Sequence, residues 1–206
     1  ALIPNPGYPT YQSITRLVEA EPVFYDLKAE HQWQPDLEAL DQMDLTAVKL
    51  MWINYPHMPT GANAQKDTFE KLVAWAKEKD ILLVNDNPYS FVLTDQPQSM
   101  MSVPGAMEVG MELNSLSKSF NMAGWRVGMV LGNEENINAV LKVKSNMDSG
   151  MFYGIQQGAI AALQAQESWF EKLNDIYRQR RKLIFELASL LNTDFDAHNS
   201  GLFVWA

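Results

Sequence analysis

The sequence predicts an α/β fold with a mainly parallel central sheet. Short apolar runs recur along the chain and are continuous rather than alternating, which is typical of strands covered on both faces. Helical patterns with short connections separate these runs, as expected when helices cross over between parallel strands. Because open α/β sheets bind ligands at the carboxyl ends of their strands, the residues that follow each apolar run are the first candidates for a functional site.

The apolar runs predict six strands, at residues 1–4, 22–27, 47–54, 81–86, 111–117 and 127–132. Helical periodicity predicts helices at residues 10–20, 35–40 and 63–80, with Asn63 as the N-cap of the third. The acidic stretch GNEEN, residues 132–136, predicts a further helix start, because negative charge is favourable in the first turn.

A change in pattern near residues 150–154 divides the chain into two parts. Residues 1–150 are predicted to form the sheet domain, and residues 151–206 to hold long helices at 155–165 and 169–191 that lead to a smaller domain. The final stretch, GLFVWA, has the composition of a strand that is cut off before its partner. The missing initial Met and this ending suggest a fragment of a longer protein.

Composition limits the classes of partner. The chain has 206 residues and a net charge of -9, which argues against a nucleic-acid-binding surface. No apolar run has the length of a membrane span and the start lacks a signal-peptide pattern, so we expect a cytoplasmic protein without a membrane partner. Zero cysteines and three scattered histidines predict that there is no metal site.

Two strand ends carry groups that suit chemistry. One apolar run ends at Asp86, with Tyr89 three residues later, and another ends in Ser115, Ser117 and Lys118. Either stretch alone is more simply a solvated loop. Together they favour a site, because a lysine at the mouth of a parallel sheet is a candidate Schiff-base nucleophile whose partner would be an aldehyde cofactor.

Four motifs occur in register along the chain. They are NPGYPTY at residues 5–11, PHMPTG at 56–61, DNPY at 86–89, and the stretch SLSKSFNMAGWRVG at 115–128. In this order and spacing they resemble the pyridoxal phosphate (PLP)-dependent aminotransferases of classes I and II, the aspartate aminotransferase fold type. The resemblance implies fold type I, a three-layer sandwich around a mainly parallel sheet, followed by the start of a smaller C-terminal domain.

The resemblance also implies three catalytic residues. Lys118 would form the Schiff base with PLP and later move a proton between the substrate and the cofactor. Asp86 would pair with the pyridine nitrogen and keep it protonated, so that the ring can accept electrons. Tyr89 would donate a hydrogen bond to the phenolic oxygen of the cofactor and tune its pKa.

Three further residues would bind the cofactor. Tyr8 would stack on the ring, and Arg126 would hold the phosphate together with the hydroxyl of Ser115, because a guanidinium matches phosphate oxygens bidentately. The glycines on both sides of Arg126, Gly124 and Gly128, suggest a turn with positive φ or a close backbone approach. The sequence alone does not decide whether the side chain of Ser117 points toward the cofactor or away from it.

The sequence departs from the family pattern at Met58. Family members usually carry an asparagine there, before Pro-Thr-Gly, and its amide donates to the phenolic oxygen of PLP. Methionine cannot donate this hydrogen bond, which is worth roughly 0.5–1.5 kcal/mol. Asn54 and His57 are two nearby candidates for a replacement donor.

The resemblance implies an aminotransferase that moves an amino group between an L-amino acid and a 2-oxo acid, and a homodimer as the full-length form. The arginine that binds the substrate carboxylate in this family is expected outside these residues, so the fragment alone is expected to be inactive. Two alternatives remain open: a PLP-dependent carbon–sulfur lyase, for which His57 is a mild indication, and a regulatory domain without turnover on the same scaffold.

Overall fold

The computed structural model describes residues 1–65 and 67–206, and its strands form one six-stranded sheet in the order β2-β1-β3-β4-β5-β6. All neighbouring strands are parallel except β5 and β6, which are antiparallel. This arrangement confirms the predicted α/β class with a mainly parallel sheet. The strands are β1 (Leu2–Asn5), β2 (Val23–Asp26), β3 (Leu50–Ile53), β4 (Leu82–Asp86), β5 (Gly110–Ser115) and β6 (Gly128–Gly132).

The helices between the strands are of two kinds, short turns at strand ends and longer helices that pack on the sheet or continue beyond it. They are α1 (Pro9–Leu17), α2 (Leu37–Asp41), α3 (Thr68–Lys79), α4 (Ala106–Val109), α5 (Leu116–Ser119), α6 (Glu134–Met147), α7 (Tyr153–Leu163) and α8 (Glu167–Leu190).

Helices cover both faces of the sheet. On one face, Met51 and Ile53 of β3 are fully buried in a cluster that includes Leu72 of α3. The residue between them, Trp52, points to the opposite face, where Tyr11 of α1 stacks on its ring with the ring centres 4.7 Å apart. The sheet therefore lies between two helical layers, and this explains why its strands are continuous apolar runs.

The third helix begins later than the sequence predicts. Its N-cap is Asp67 rather than Asn63, because the backbones of Asn63 and Gln65 are hydrogen-bonded to Gln34 instead of within a helix. The carbonyl of Asn63 accepts from Gln34 Nε2 at 3.1 Å, and the amide of Gln65 donates to Gln34 Oε1 at 3.4 Å. Lys66, which falls within the predicted helix, lies outside the described residues.

Two other boundaries differ from the prediction and one agrees with it. The run at 111–117 is a strand only to Ser115, where α5 begins. The stretch GLFVWA is not a strand, since Phe203 packs edge-on against Tyr89 and Trp205 against Trp33 rather than beside another strand. The helix start predicted from GNEEN is confirmed, with α6 beginning at Glu134.

None of the helices within residues 1–65 and 67–206 combines the length and the apolar character that a bilayer crossing needs. In the same residues, no three side chains of metal-binding type come together.

Candidate active site

One cavity of about 410 Å³ opens at the carboxyl ends of β3, β4 and β5. Parallel strands bring their carboxyl ends to the same edge, so residues that are far apart in sequence meet there. The cavity is lined by all six predicted site residues, Tyr8, Asp86, Tyr89, Ser115, Lys118 and Arg126, and also by Tyr11, Asn54, Met58, Ser117 and Phe203.

Asp86 is the last residue of β4 and points to the α1 face of the sheet. Tyr11 donates a hydrogen bond from its hydroxyl to Asp86 Oδ2 at 2.7 Å. Burial raises the pKa of Asp86, and the hydrogen bond from Tyr11 opposes this rise. Within the described residues Tyr11 is the only hydrogen-bond donor to this side chain, so the carboxylate keeps accepting capacity for a ligand.

Tyr11 is held so that its hydroxyl remains a donor. The side chain is 3% exposed, with its ring between Trp52 and the edge of Tyr8. Burial is the main cause that raises the pKa of Tyr11 far above its usual value, and the charge of Asp86 is the second cause. A phenol that cannot ionise at working pH donates its proton to Asp86 throughout that range.

Tyr89 follows Asp86 by three residues and turns back into the same cavity. It is 7% exposed and contacts the ring of Phe203 edge-on, with centroids 6.1 Å apart. Burial raises the pKa of Tyr89 to about 12, with a smaller contribution from the charge of Asp86. Tyr89 therefore presents a neutral hydroxyl that can donate a hydrogen bond near pH 7.

The end of β5 turns directly into α5 and carries three polar side chains. Ser115 is the N-cap of α5, and its Oγ accepts from the backbone amide of Ser117 at 3.1 Å. The two hydroxyl oxygens of Ser115 and Ser117 are 2.8 Å apart. Ser117 thus faces the cavity, and Lys118 follows it with an amine that has no hydrogen-bond partner in the described part of the chain.

Arg126 occupies the left-handed region itself, with a φ of 56°. Its Nη1 donates to the carbonyl of Ala123 at 2.8 Å, which leaves the other guanidinium N–H groups available to a ligand. Gly128 is required, because a Cβ there would lie 2.8 Å from the carbonyl oxygen of Asn114. The expectation for Gly124 is wrong, since its φ is not positive and a Cβ there would meet no described atom within 4 Å.

The loop before Pro59 shows how Met58 is placed and what its neighbours do. Asn54 is 2% exposed, accepts from the backbone amide of Met58 at 2.7 Å and donates to the backbone carbonyl of Asp86. The Asn54 amide thus ties the Met58 loop to the end of β4, and it lines the cavity together with Met58.

His57 is buried and does not line the cavity, so it does not replace the missing donor. Its Nδ1 lies 2.8 Å from Thr60 Oγ1, and its Nε2 has no hydrogen-bond partner among residues 1–65 and 67–206. Burial lowers the pKa of His57 to about 4, and the backbone of Pro6 acts in the opposite direction without satisfying Nε2. This position weakens the indication of a lyase that the histidine gave in the sequence.

The side chains of the cavity fit the groups of PLP in kind. Arg126 and the two serine hydroxyls are donors suited to a phosphate, Asp86 is an acceptor suited to a protonated ring nitrogen, and Lys118 is an amine suited to an aldehyde. The volume of about 410 Å³ is also in the range of small-ligand sites.

Sequence reasoning missed two residues of the cavity, Tyr11 and Phe203, whereas it named Asn54 and Ser117 without assigning either to the site. Tyr11 was one apolar residue of a helical pattern, and its partner Asp86 is 75 positions away. Asn54 gave a usable signal, because a polar residue directly after a buried strand is expected at the site edge. Phe203 gave none, since its approach depends on the path of the residues after α8.

Comparison with known proteins agrees with the geometry. The family model described as aminotransferase class I and II matches residues 1–206. The LL-diaminopimelate aminotransferase of Gloeobacter violaceus is 44% identical over 207 residues, which cover 100% of this chain and 53% of that protein. The enzyme of the same name from Aquifex aeolicus is 38% identical over 206 residues, 99% of this chain and 53% of that protein. The chain therefore spans about half the length of the curated relatives it matches.

Solved structures give the same result. The apo structure of BacF from Bacillus subtilis matches with a TM-score of 0.94 and 40% identity, over 100% of this chain and 53% of that one. A mutant of Thermus thermophilus aspartate aminotransferase matches with a TM-score of 0.88 and 28% identity, over 97% of this chain and 53% of that one. These neighbours confirm the fold-type-I architecture, and with it the dependence of the family on PLP. The chain belongs to the class I and II aminotransferase family.

Proposed function

We propose that the whole protein transfers an amino group between an L-amino acid and a 2-oxo acid with PLP as cofactor. The observation that carries the proposal is the single cavity in which an amine, a half-buried carboxylate, a phenol and a guanidinium converge from three strand ends. These four groups match the four parts of the cofactor that need a partner: the aldehyde, the ring nitrogen, the phenolic oxygen and the phosphate.

The phosphate end of the cavity is assigned to Arg126, Ser115 and Ser117. A guanidinium supplies parallel N–H donors, and the serine hydroxyls at the start of α5 add neutral donors to the same anion. Tyr8, which is 42% exposed at the rim, is assigned to the face of the ring.

The ring end is assigned to Asp86, with Tyr11 behind it, and to Tyr89. Asp86 would accept from the ring nitrogen, since Tyr11 occupies only Oδ2 of the carboxylate, and its charge would favour the protonated nitrogen. Tyr89 donates to the phenolic oxygen. Met58 supplies no side-chain hydrogen bond there, so the phenolic oxygen receives one donor fewer than in relatives that carry asparagine.

Lys118 carries the proton transfer. Bound PLP supplies an electron sink that stabilises negative charge at the substrate α-carbon. The Nζ of Lys118 would be the base that takes the α-proton and the acid that delivers it to the former aldehyde carbon of PLP, C4′, and this step separates transfer from simple binding.

The substrate and the assembly are further parts of this proposal. The names of the relatives favour LL-diaminopimelate as the first amino donor to test. We assign residues 1–150 to the cofactor-binding domain and residues 151–206 to the connection with a smaller domain. A homodimer in the cytoplasm is the proposed state of the whole protein, to be tested by light scattering and cell fractionation.

Reduction with borohydride followed by peptide mapping tests the cofactor site. We expect a pyridoxyl label on Lys118 in the whole protein, loss of the label in Lys118→Ala, and an unchanged label in Lys142→Ala, whose position is exposed on α6. A label on another lysine would contradict the assignment.

Product analysis tests the reaction. With LL-diaminopimelate and 2-oxoglutarate, formation of glutamate supports transfer, whereas pyruvate and ammonia from a substrate with a β-leaving group would indicate elimination. Cofactor binding without either product would support the regulatory alternative.

A further inference from the structure

A second carboxylate lies directly behind the site, on the other face of the sheet. Glu112 of β5 is 2% exposed. Its Oε2 accepts from Asn85 Nδ2 at 3.0 Å and from the backbone amide of Met100 at 2.8 Å, and its Oε1 accepts from Asn87 Nδ2 at 3.3 Å. All three partners are donors, so the carboxylate satisfies them without needing a proton of its own.

The partners of Glu112 flank Asp86. Asn85 is paired in register with Glu112, and side chains alternate along a strand, so Asn85 and Asn87 point to the α3 face while Asp86 points into the cavity. One buried carboxylate therefore holds the residues on both sides of the proposed nitrogen partner.

The two amides cannot rotate to suit a different neighbour. Asn85 Oδ1 accepts from the backbone amide of Tyr55 at 3.3 Å, and Asn87 Oδ1 accepts from the hydroxyl of Ser90. Each amide oxygen is thus engaged elsewhere, so each NH₂ group is turned toward Glu112, and that of Asn87 donates to the backbone carbonyl of Gln98 as well, at 3.0 Å. A side chain that only accepts is needed at this position.

Asn87 extends the connection to the strand that leads to Lys118. Its backbone amide donates to the carbonyl of Leu113 at 2.8 Å, and its carbonyl accepts from Asn114 Nδ2 at 2.9 Å. The residue after Asp86 is therefore fixed both to Glu112 and to the end of β5, just before Ser115 and Lys118.

We propose that Glu112 is a positioning residue that sets the placement of Asp86 against the cofactor through Asn85 and Asn87. The proposal rests on the function proposed above, and it assigns a role to a residue that touches neither cofactor nor substrate. Loss of the carboxylate should therefore weaken the binding of the cofactor, in addition to any loss of folding stability.

Glu112→Gln in the whole protein tests this with almost no change in shape. The amide oxygen of the new side chain can still accept from Asn85 and from the amide of Met100. Its NH₂ group then faces Asn87 Nδ2, so that two donors meet next to Asp86. We expect the PLP dissociation constant to rise about tenfold, as for loss of one hydrogen bond to a charged group. We also expect the pH midpoint of the absorbance of bound PLP to move and kcat to fall more than KM rises.

Glu108→Gln is the matched control. Glu108 lies nearby in sequence but is exposed, and its ion pair with Lys77 at 2.5 Å is on the surface. This variant should keep the PLP affinity and the pH midpoint of the wild type. If Glu112→Gln lowers only the melting temperature and leaves both cofactor readouts within about twofold of the control, Glu112 is merely a core residue and the proposal is wrong.

Asn87→Ala provides a second test if Glu112→Gln folds poorly. It removes the link that the first variant disturbs and leaves Glu112 with Asn85 and Met100, so it should weaken PLP binding in the same direction. Unchanged PLP affinity in a folded Asn87→Ala would overturn the proposal. Where Glu112→Gln folds normally, the double variant should bind PLP no more weakly than Glu112→Gln alone, and additive losses would overturn the proposal as well. Failure of the wild type to take up PLP would instead refute the proposed function.

Discussion

Replacing Tyr11 by Phe isolates the one hydrogen bond that the Asp86 carboxylate receives within the described residues. The variant keeps the ring that stacks on Trp52 and removes only the hydroxyl that donates to Asp86 Oδ2 at 2.7 Å. That donor lowers the pKa of Asp86 against the effect of burial, so its loss must raise the pKa. Hydrogen bonds to charged groups are worth about 1.5–3 kcal/mol, and 1.36 kcal/mol corresponds to one pH unit, so the shift should be about one unit or more.

The assay is the affinity of the whole protein for PLP between pH 4 and pH 8. Ionised Asp86 is needed to pair with the ring nitrogen, so affinity falls on the acid side as this carboxylate takes up a proton. We expect the acid midpoint to lie higher in Tyr11→Phe than in the wild type, with a smaller difference at pH 8. Titration of PLP itself is common to both proteins and cancels in the comparison.

Tyr55→Phe is the control for this experiment. It also removes a buried phenolic hydroxyl, one that donates to the carbonyl of Trp33 at 2.6 Å rather than to Asp86. The loss of stability should be about 1 kcal/mol in Tyr55→Phe and about 1.5–3 kcal/mol in Tyr11→Phe, but only Tyr11→Phe should move the acid midpoint. An unchanged midpoint in Tyr11→Phe, or an equal shift in Tyr55→Phe, would refute the reasoning.

Three other predictions concern the same region. Met58→Asn adds a donor near the phenolic oxygen and should lower the pH midpoint of the absorbance of bound PLP by up to about one unit; a spectrophotometric titration that shows no change or a rise contradicts this. The pKa of His57 is about 4 when folded against about 6.5 unfolded, so stability is fully present above pH 6.5 and is lost as the pH falls toward 4; the loss is on the order of 3 kcal/mol, and it should be absent in urea unfolding of His57→Asn. The raised pKa of Asp86 means that its charged form costs stability above about pH 4. In the absence of cofactor, Asp86→Asn should therefore melt at a higher temperature than the wild type at pH 7, and the difference should shrink toward pH 4. With cofactor, the turnover of this variant should fall at least about 100-fold.

The sheet could be predicted because its signal is local. Strands covered on both faces are continuous apolar runs, and each of the six runs overlaps one of the observed strands. The start of α3 could not be predicted in the same way. Asn63 is a good N-cap residue, but its segment is hydrogen-bonded to Gln34, and nothing near Asn63 in the sequence shows that competition.

The polar ends of the strands showed where the site lies, whereas the supporting contacts were invisible. Asp86, Ser115 and Lys118 each follow an apolar run, and the parallel topology then brings them to one edge. Tyr11 and Glu112 gave no such signal, because their partners come from other strands and helices. A tyrosine in a helical pattern and a glutamate in a strand acquire their meaning only when the register between elements is known.

The two carboxylates on β4 and β5 differ in a way that follows from their hydrogen bonds. Glu112 has three donors and is satisfied within the protein, so it has little to gain from a ligand. The Asp86 carboxylate has one donor in the described structure and a raised pKa, so it is buried at a cost that a protonated nitrogen in the cavity would offset. Adjacent strands thus place a fully hydrogen-bonded carboxylate where rigidity is needed and one with free accepting capacity where a cation must bind. The number of hydrogen bonds that each carboxylate already accepts, more than its burial, separates the positioning residue from the binding residue.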